Sequence, residues 1–371
     1  MTTWTRTRSF LLGLVAIAVG IPLMVLGPQQ LTSATAVTGS REAALRIQVL
    51  SNRADLVSAG EALVAVRLPK GTRPRTVTVR VNGRDVTEMF ARRANGRYEG
   101  LLRGLLRGLR VGENRVVADA PNRGAARVTI TNHPNGGPVF SGPQVQPWVC
   151  QPTAKDAQCN QPATYELQYR SSVTGQFRDY DPDNPPADVA QTTTDQGHTV
   201  PFVIRIETGY QDRDQYQIAV LHQPGKRWKA WSPQRQWNHK LLITHGSSCG
   251  IDHQSGEAPS VTSDMVGTSP AEALGRGFAV LSTALDNAGH NCNLATQAES
   301  LVMAKERLVE RYGELRHTIG TGCSGGSLTQ QQVANAYPGI YQGILPQCSF
   351  PDASAASRTP GPPVSSSWTT T

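Results

Sequence analysis

The sequence predicts a doubly wound α/β sheet in the second half of the chain and a small all-β domain before it. Three observations lead to this prediction. From residue 199 onward, strand patterns alternate with helical ones, which is the element order of a doubly wound sheet. A glycine-dense corner at Ser324 joins one of these strands to a helix. Residues 45–132 show only short strand patterns separated by turn signals, as in a β-sandwich.

The elements of the α/β part are predicted from apolar periodicity. Leu301, Met303 and Leu308 mark the apolar side of the longest helix. The last strand of the series reads as buried. The predicted strands are Val200–Ile206, Gln215–Leu221, Lys240–Thr244, Gly277–Leu285, the short run His317–Ile319 and Gly339–Phe350; the predicted helices are Pro270–Gly275, Ala295–Tyr312 and Ser327–Tyr337.

The all-β part is predicted to be a small immunoglobulin-like sandwich. Turn dipeptides such as Asn82-Gly83 separate its strand patterns. Two roles are open for this domain. One is attachment to carbohydrate or to a surface, and the other is that of an accessory domain that packs on the next domain. The second is favoured, because the sequence shows no aromatic platform. The predicted strands are Leu45–Leu50, Leu63–Leu68, Val77–Val81, Arg115–Ala118 and Arg127–Ile130.

The corner Gly322-Cys323-Ser324-Gly325-Gly326 fits the pattern G-x-S-x-G, in which a serine occupies a sharp strand-to-helix turn. Neighbours without a Cβ let strand and helix approach closely. The turn presents the serine Oγ at a helix N-terminus, where backbone N–H groups stabilise an oxyanion. This nucleophile elbow, typical of α/β-hydrolases, predicts Ser324 as the nucleophile of acyl transfer. An ordinary turn is the alternative, and the flanking strand and helix favour the elbow.

A second small-residue loop follows the strand Lys240–Thr244. It reads His245-Gly246-Ser247-Ser248-Cys249-Gly250, and a loop in this position supplies the second oxyanion donor of an α/β-hydrolase. Gly246 and Ser247 are the predicted donors, together with the N–H of Gly325. An ordinary strand-end turn is the alternative.

A polar loop after the next strand contains Asp286 and His290. It would line a substrate cleft at the end of the sheet, and these two residue types invite a catalytic interpretation. A histidine in a polar loop more often has a surface or structural role, and that interpretation is favoured here.

The N-terminus predicts export. Arg6 and Arg8 precede the uncharged apolar run Phe10–Leu26, and Ala34-Thr35-Ala36 offers a small-x-small cleavage site. The run is long for a signal peptide and short for a membrane span, so an uncleaved N-terminal membrane anchor is the alternative. The protein is therefore expected to be secreted or anchored to the outer face of the cytoplasmic membrane.

Export makes disulfides the expected state of the six cysteines. Metal binding is disfavoured, because the cysteines form no C-x-x-C pair and lack histidine partners at zinc-finger spacing. Cys150 with Cys159 and Cys249 with Cys292 are two conceivable pairs among the 15 connectivities that six cysteines allow. No metal or cofactor is predicted.

The net charge of +8 comes without a long Lys/Arg block, and only 17% of the residues are charged. A solvated basic surface is therefore favoured over nucleic-acid binding. An acidic loop at Asp179, Asp181 and Asp183 lacks the glycine and terminal glutamate of a calcium loop, so a solvated loop is favoured over a cation site.

These signals predict five segments along the chain. They are the export segment or anchor 1–36, the β-sandwich 45–132, a linker and irregular region 133–198, the α/β-hydrolase-like domain 199–352, and a disordered tail 353–371 rich in Ser, Thr and Pro.

The corner and its surroundings resemble known families. The run Ile319–Gly326, with Tyr337-Pro338-Gly339 and Gly343-Ile344-Leu345, is similar to the elbow region of tannase and feruloyl-esterase-type serine hydrolases and of polyhydroxyalkanoate-depolymerase relatives. A family of exported bacterial proteins defined as a domain of unknown function is more similar still, through the loop Thr244–Gly250 and the motif CSFPD at Cys348–Asp352. The resemblance covers about Leu45 to Asp352.

This resemblance implies esterase ancestry and a small-molecule or polymeric ester as substrate. In tannase-like enzymes the cysteine before the serine bonds to one beside the triad histidine. Cys323 matches the first of these positions, and its family partner is missing here. The resemblance therefore implies that Cys323 is free or paired with Cys348.

One departure from the family pattern stands out. In α/β-hydrolases the triad acid and histidine follow the serine along the chain, but no histidine follows Ser324 and the only later acid is Asp352. Either a premature stop or frameshift near Asp352 has removed the last strands, or the fold keeps the elbow without the chemistry. The abrupt change of composition at Ala353 favours the first. An impaired or inactive serine hydrolase is thus expected, with a non-catalytic exported or anchored surface or binding protein as the alternative.

Overall fold

The computed structural model describes residues 44–104, 108–142, 146–264 and 266–350. The predicted export segment 1–36 and the tail 353–371 lie outside these residues, as does Asp352. The described chain is mostly sheet, with few helices. No helix in the described ranges is long and apolar enough to span a membrane.

The first part of the described chain forms two sheets over a shared core. One sheet has the order β1-β3-β7-β6 and the other the order β2-β9-β8-β4-β5. All neighbours pair antiparallel except β2 and β9. The strands are β1 Arg46–Val49, β2 Val57–Ser58, β3 Ala62–Arg67, β4 Thr78–Val81, β5 Arg84–Asp85, β6 Ala91–Arg92, β7 Tyr98–Leu102, β8 Gly112–Ala120 and β9 Gly124–His133.

The core between these two sheets follows from period-two alternation. Val64 of one sheet and Val79, Val116 and Ile130 of the other are fully buried in one cluster. Each of the five predicted strands overlaps an observed one. Strand β7 gave no alternating signal, because all five of its residues are buried.

The second part of the described chain contains the remaining strands and all three α-helices. In chain order these are β10 Thr164–Arg170, β11 Phe177–Asp179, β12 Gln191–Thr193, β13 Thr199–Pro201, β14 Val203–Gln211, β15 Asp214–Leu221, β16 Lys240–Thr244, α1 Pro270–Gly275, β17 Ala279–Thr283, α2 Leu294–Tyr312, β18 His317–Cys323, α3 Gly325–Ala336 and β19 Gly343–Gln347.

Eight of these strands form one mixed sheet with the order β11-β10-β14-β15-β17-β16-β18-β19. The pairs from β11 to β17 are antiparallel, and the pairs from β17 to β19 are parallel. Because β16 lies between β17 and β18, the order in which successive strands are added to the sheet reverses at β16. The carboxyl ends of β16, β17 and β18 therefore meet at one edge, where ligands bind in open α/β sheets.

Helices cover both faces of this sheet. Ile218 and Val220 of β15 belong to the core cluster that contains Leu301 of α2 and Val333 of α3. Ala219 and Leu221 point the other way, into the cluster that contains Leu274 of α1. The predicted α/β arrangement, with helices on both sides of a largely apolar sheet, is present in the described chain.

Two predicted segments differ from the structure. The region 133–198, predicted as linker and irregular, contains β10, β11 and β12. The apolar pattern of β10 is weak because Thr164, Tyr165 and Glu166 are exposed. The segment 339–350, predicted as a buried strand, is a strand only at β19, and Leu345 within it is 52% exposed.

Candidate active site

Ser324 occupies the bend between β18 and α3. Cys323 is the last residue of the strand and Gly325 the first of the helix. The serine has φ 56° and ψ −116°, a combination that L-residues with a Cβ rarely adopt. Its side chain is half-buried and makes no capping hydrogen bond to the helix. The hydroxyl is thus held at a helix N-terminus without being used to stabilise it.

The bend packs directly against the loop that follows β16. His245, the first residue after β16, donates its N–H to the carbonyl of Thr321 at 2.9 Å. A Cβ added at Gly325 would overlap the carbonyl oxygen of Ser248. This position must be glycine because the backbones of the loop and the helix N-terminus touch there.

The three predicted oxyanion donors lie around this contact. Gly246 is buried, Ser247 is exposed, and Gly325 is the first residue of α3. Among the described residues, no acceptor takes the N–H of any of the three. Asn287 packs against Gly246 so closely that a Cβ there would overlap its Oδ1. The loop is therefore fixed from two sides, by the helix and by the loop after β17.

A fully buried polar network lies beneath the same loop. His245 Nδ1 is 2.6 Å from Asp286 Oδ2, and both side chains have no exposed surface. The phenolic O–H of Tyr341 lies 3.0 Å from His245 Nε2. Burial raises the pKa of Asp286, opposed by the nearby imidazole, and burial also raises the pKa of Tyr341. Nothing in the sequence had connected these three residues, which come from three separate segments.

His290 is held elsewhere and does not pair with Asp286. Its Nε2 lies 2.8 Å from Asp214 Oδ2, and its Nδ1 lies 3.0 Å from Asp252 Oδ2. Hydrogen bonding to Asp214 is the main reason why the pKa of His290 is raised. Both ring nitrogens are thus engaged by carboxylates, and His290 joins its own loop after β17 to the start of β15 and to the loop after β16. This geometry favours a structural role for His290.

Ser324 Oγ makes no hydrogen bond to any described residue. A general base must lie within hydrogen-bond reach of the hydroxyl that it deprotonates. The two buried histidines at this edge of the sheet, His245 and His290, have both ring nitrogens in contact with other groups. In the described chain the bend at Ser324 and the loop after β16 therefore lie side by side, and no base is in contact with the serine.

Three disulfides bind the described chain, and two of them frame this site. Cys249–Cys292 joins the loops after β16 and β17. Cys323–Cys348 joins the elbow to the residue after β19. Cys150–Cys159 closes a small loop before β10. The prediction that the cysteines form disulfides is confirmed. Two of the pairs are the conceivable ones named from the sequence, and Cys323, expected to be free or paired with Cys348, is paired.

The model of a tannase-like family of unknown function (DUF6351) matches residues 47–360. The chain belongs to this tannase-like family. The resemblance inferred from the elbow and the CSFPD motif is thereby confirmed, and the ancestry of the chain is that of an esterase-type hydrolase. No curated protein sequence matches the chain.

Solved structures with low similarity to this tannase-like chain include two from Aspergillus oryzae. Feruloyl esterase B is 17% identical with a TM-score of 0.27, over 50% of this chain and 32% of that one. An esterase is 12% identical with a TM-score of 0.25, over 53% and 34%. The tannase-like chain thus spans about a third of the length of either. Ferric enterobactin esterase from Salmonella typhimurium is 13% identical with a TM-score of 0.22, over 81% and 74%.

Proposed function

We propose that this tannase-like chain is a serine-hydrolase-type protein for acyl esters, with Ser324 as its nucleophile. The observation that carries the proposal is the strained bend at Ser324, where an uncapped hydroxyl meets a helix N-terminus. Backbone strain of this kind costs about 1–3 kcal/mol and is maintained where a site requires it. A turn that only reversed the chain would not need a non-glycine residue in this conformation.

The donors for the oxyanion are the N–H groups of Gly325, Gly246 and Ser247. In the proposed reaction Ser324 Oγ attacks the ester carbonyl, its proton passes to solvent water because no described base contacts it, and the carbonyl oxygen becomes an oxyanion. Collapse of this intermediate expels the alcohol and leaves an acyl-serine, which water hydrolyses. The N–H groups in the loop and at the start of α3 stabilise the negative charge at the moment it forms.

Ester turnover by this chain is proposed to be impaired. Neither His245 nor His290 has a ring nitrogen free for the serine proton, and Ser324 Oγ has no hydrogen-bond partner in the described ranges. General-base assistance typically contributes about 10²–10⁴-fold to such a step. Acylation by an activated ester is therefore expected to be slow, and deacylation slower still.

The domain roles and the location are part of the same proposal. Residues 45–132 would be an immunoglobulin-like accessory domain, and residues 199–352 the hydrolase-like domain, acting on a small-molecule or polymeric ester. Three disulfides are typical of proteins in oxidising compartments, which supports export.

Acylation by p-nitrophenyl acetate tests the proposal. The protein is incubated with the ester, acidified, and examined by intact mass and peptide mapping. We expect one slowly formed acetyl group on the peptide that contains Ser324, and none in the Ser324→Ala variant. Acetylation confined to lysines, equal in both proteins, would instead favour a non-catalytic binding role.

A further inference from the structure

The polar network beneath the loop that follows β16 is almost completely enclosed. His245 and Asp286 have no exposed surface, and Tyr341 is 9% exposed. The network connects the end of β16, the loop after β17 and the segment before β19. The Cβ of His245 also packs between β18 and α3, because a Cβ at Gly322 would lie 2.9 Å from it and one at Gly326 would lie 3.0 Å from it.

We propose that His245 is the positioning residue of the site, and that its contacts with Asp286 and Tyr341 hold the loop 245–248 in the geometry that binds an oxyanion. This inference rests on the proposed function. His245 does not touch the reacting atoms, and it acts through Gly246 and Ser247, the two residues that follow it in the chain.

The groups that contact the His245 ring determine which of its two nitrogens is protonated. When the Tyr341 O–H donates to Nε2, Nδ1 carries the proton that faces the carboxylate. Neither carboxylate oxygen of Asp286 makes a hydrogen bond of full geometry in the described ranges, so the 2.6 Å contact between its Oδ2 and His245 Nδ1 is the main interaction that compensates this buried charge. Buried charges left without a partner are costly, and this cost keeps the ring in one orientation.

Orientation of the ring determines the direction of the loop. The N–H of His245 is fixed on Thr321, three residues before Ser324, and its side chain is fixed on the opposite side. The peptide group that joins His245 to Gly246 therefore has little freedom. Preorganised donors of this kind are effective because they need no rearrangement when the oxyanion forms.

The first test measures the rate at which a fluorophosphonate probe labels Ser324. His245→Ala is expected to lower this rate by about 10²-fold, as when an oxyanion donor is lost, and added imidazole should restore part of it. Tyr341→Phe, which keeps the ring and removes only the O–H, should lower the rate less. His222→Ala is the matched control, because His222 is also buried but follows β15, which ends at the opposite edge of the sheet.

A second test does not depend on reaction at Ser324. Proton NMR should show a slowly exchanging, strongly downfield ring N–H signal from His245, and Asp286→Asn should remove or shift that signal. If His245→Ala does not fold, Tyr341→Phe and the NMR signal decide the question.

The outcomes separate this inference from the proposed function. If the parent protein is not labelled but the downfield signal is present, the hydrolase proposal fails while the network remains. If the parent protein is labelled, and the His245→Ala and Tyr341→Phe variants are both labelled at the rate of the parent, His245 is not a positioning residue. Absence of the signal would overturn the proposed protonation and contacts.

Discussion

At the scale of single residues, the backbone of Ser324 carries the most unusual feature of the site. Its φ of 56° with ψ of −116° is a conformation that glycine adopts with little strain and residues with a Cβ do not. Hydrogen bonds to Gln347 on one side and to the first turn of α3 on the other hold the Ser324 backbone in this conformation. Ser324 N donates to the carbonyl of Gln347 at 3.3 Å, and Leu328 N donates to the carbonyl of Ser324 at 3.0 Å.

Comparing Ser324→Gly with Ser324→Ala tests this strain. Both variants remove the hydroxyl, but only glycine relieves the backbone. We expect the glycine variant to be the more stable of the two by about 1 kcal/mol, measured as the free energy of unfolding in urea. Equal stability, or a more stable alanine variant, would mean that the bend is not strained.

Glu207 provides a second prediction at this scale. This buried carboxylate accepts hydrogen bonds from Arg307 Nε at 2.8 Å, from the hydroxyl of Tyr216 at 2.9 Å and from that of Tyr312 at 2.8 Å. Glu207→Gln leaves the guanidinium without its counter-charge, so we expect destabilisation by about 3 kcal/mol in chemical denaturation. Glu166→Gln on neighbouring β10 is exposed and should change stability by less than about 0.5 kcal/mol.

At the scale of secondary-structure elements, α2 carries two buried carboxyl groups toward the first two sheets. Glu306 accepts the N–H of Ser58 at 2.8 Å, and Glu310 accepts the hydroxyl of Ser51 at 2.9 Å. Burial raises the pKa of both, and the pKa of Glu310 reaches about 8, with the charge of Glu61 adding to the effect. The positive charges of Arg311 and Arg307 oppose the rise in the pKa of Glu310.

The sign of the pH dependence follows from these raised values. A carboxyl group whose pKa is higher in the folded state binds more protons when folded, so stability falls as pH rises from about 4.5 to about 8. We expect the free energy of unfolding to decrease over this window, and Glu310→Gln to reduce the slope. Glu272→Gln on α1, which is exposed, is the control. A slope unchanged in Glu310→Gln would show that this carboxyl group ionises normally.

Elements with strong local patterns were predictable from sequence, and pairings across the chain were not. The capping residue Asn293 and the apolar positions of α2 are local signals, and the helix begins one residue before its predicted start. The contact between His245, Asp286 and Tyr341 depends on the strand order β17-β16-β18-β19, which brings three distant segments together. Strand order is a property of the folded sheet, and no spacing in the sequence encodes it.

At the scale of the whole molecule, the disulfides differ in the length of chain that they constrain. Cys249 and Cys292 are 43 residues apart, whereas Cys150 and Cys159 are 9 apart. Loop-closure entropy predicts a loss of about 4 kcal/mol for the double variant Cys249→Ser, Cys292→Ser and about 2.5 kcal/mol for Cys150→Ser, Cys159→Ser. Urea denaturation of the two variants checks this order. The reverse order would indicate that native contacts, and not chain entropy, determine the difference.

The site itself could be predicted only in part. The G-x-S-x-G pattern located the serine and its glycine neighbours, because close backbone approach has a direct sequence signature. The engagement of His290 by Asp214 and Asp252 has no such signature, since Asp214 comes from a strand 76 positions earlier in the chain. The sequence analysis favoured a structural histidine there, and the two carboxylates supply the physical reason.

The most direct measurement is the site of covalent labelling by a fluorophosphonate probe, mapped by mass spectrometry on the full chain. If Ser324 is a nucleophile held at a strained bend beside oxyanion donors, the probe will modify Ser324 alone, slowly, and will modify nothing in the Ser324→Ala variant. Modification of another residue in both proteins, or no modification after prolonged exposure, would contradict the account.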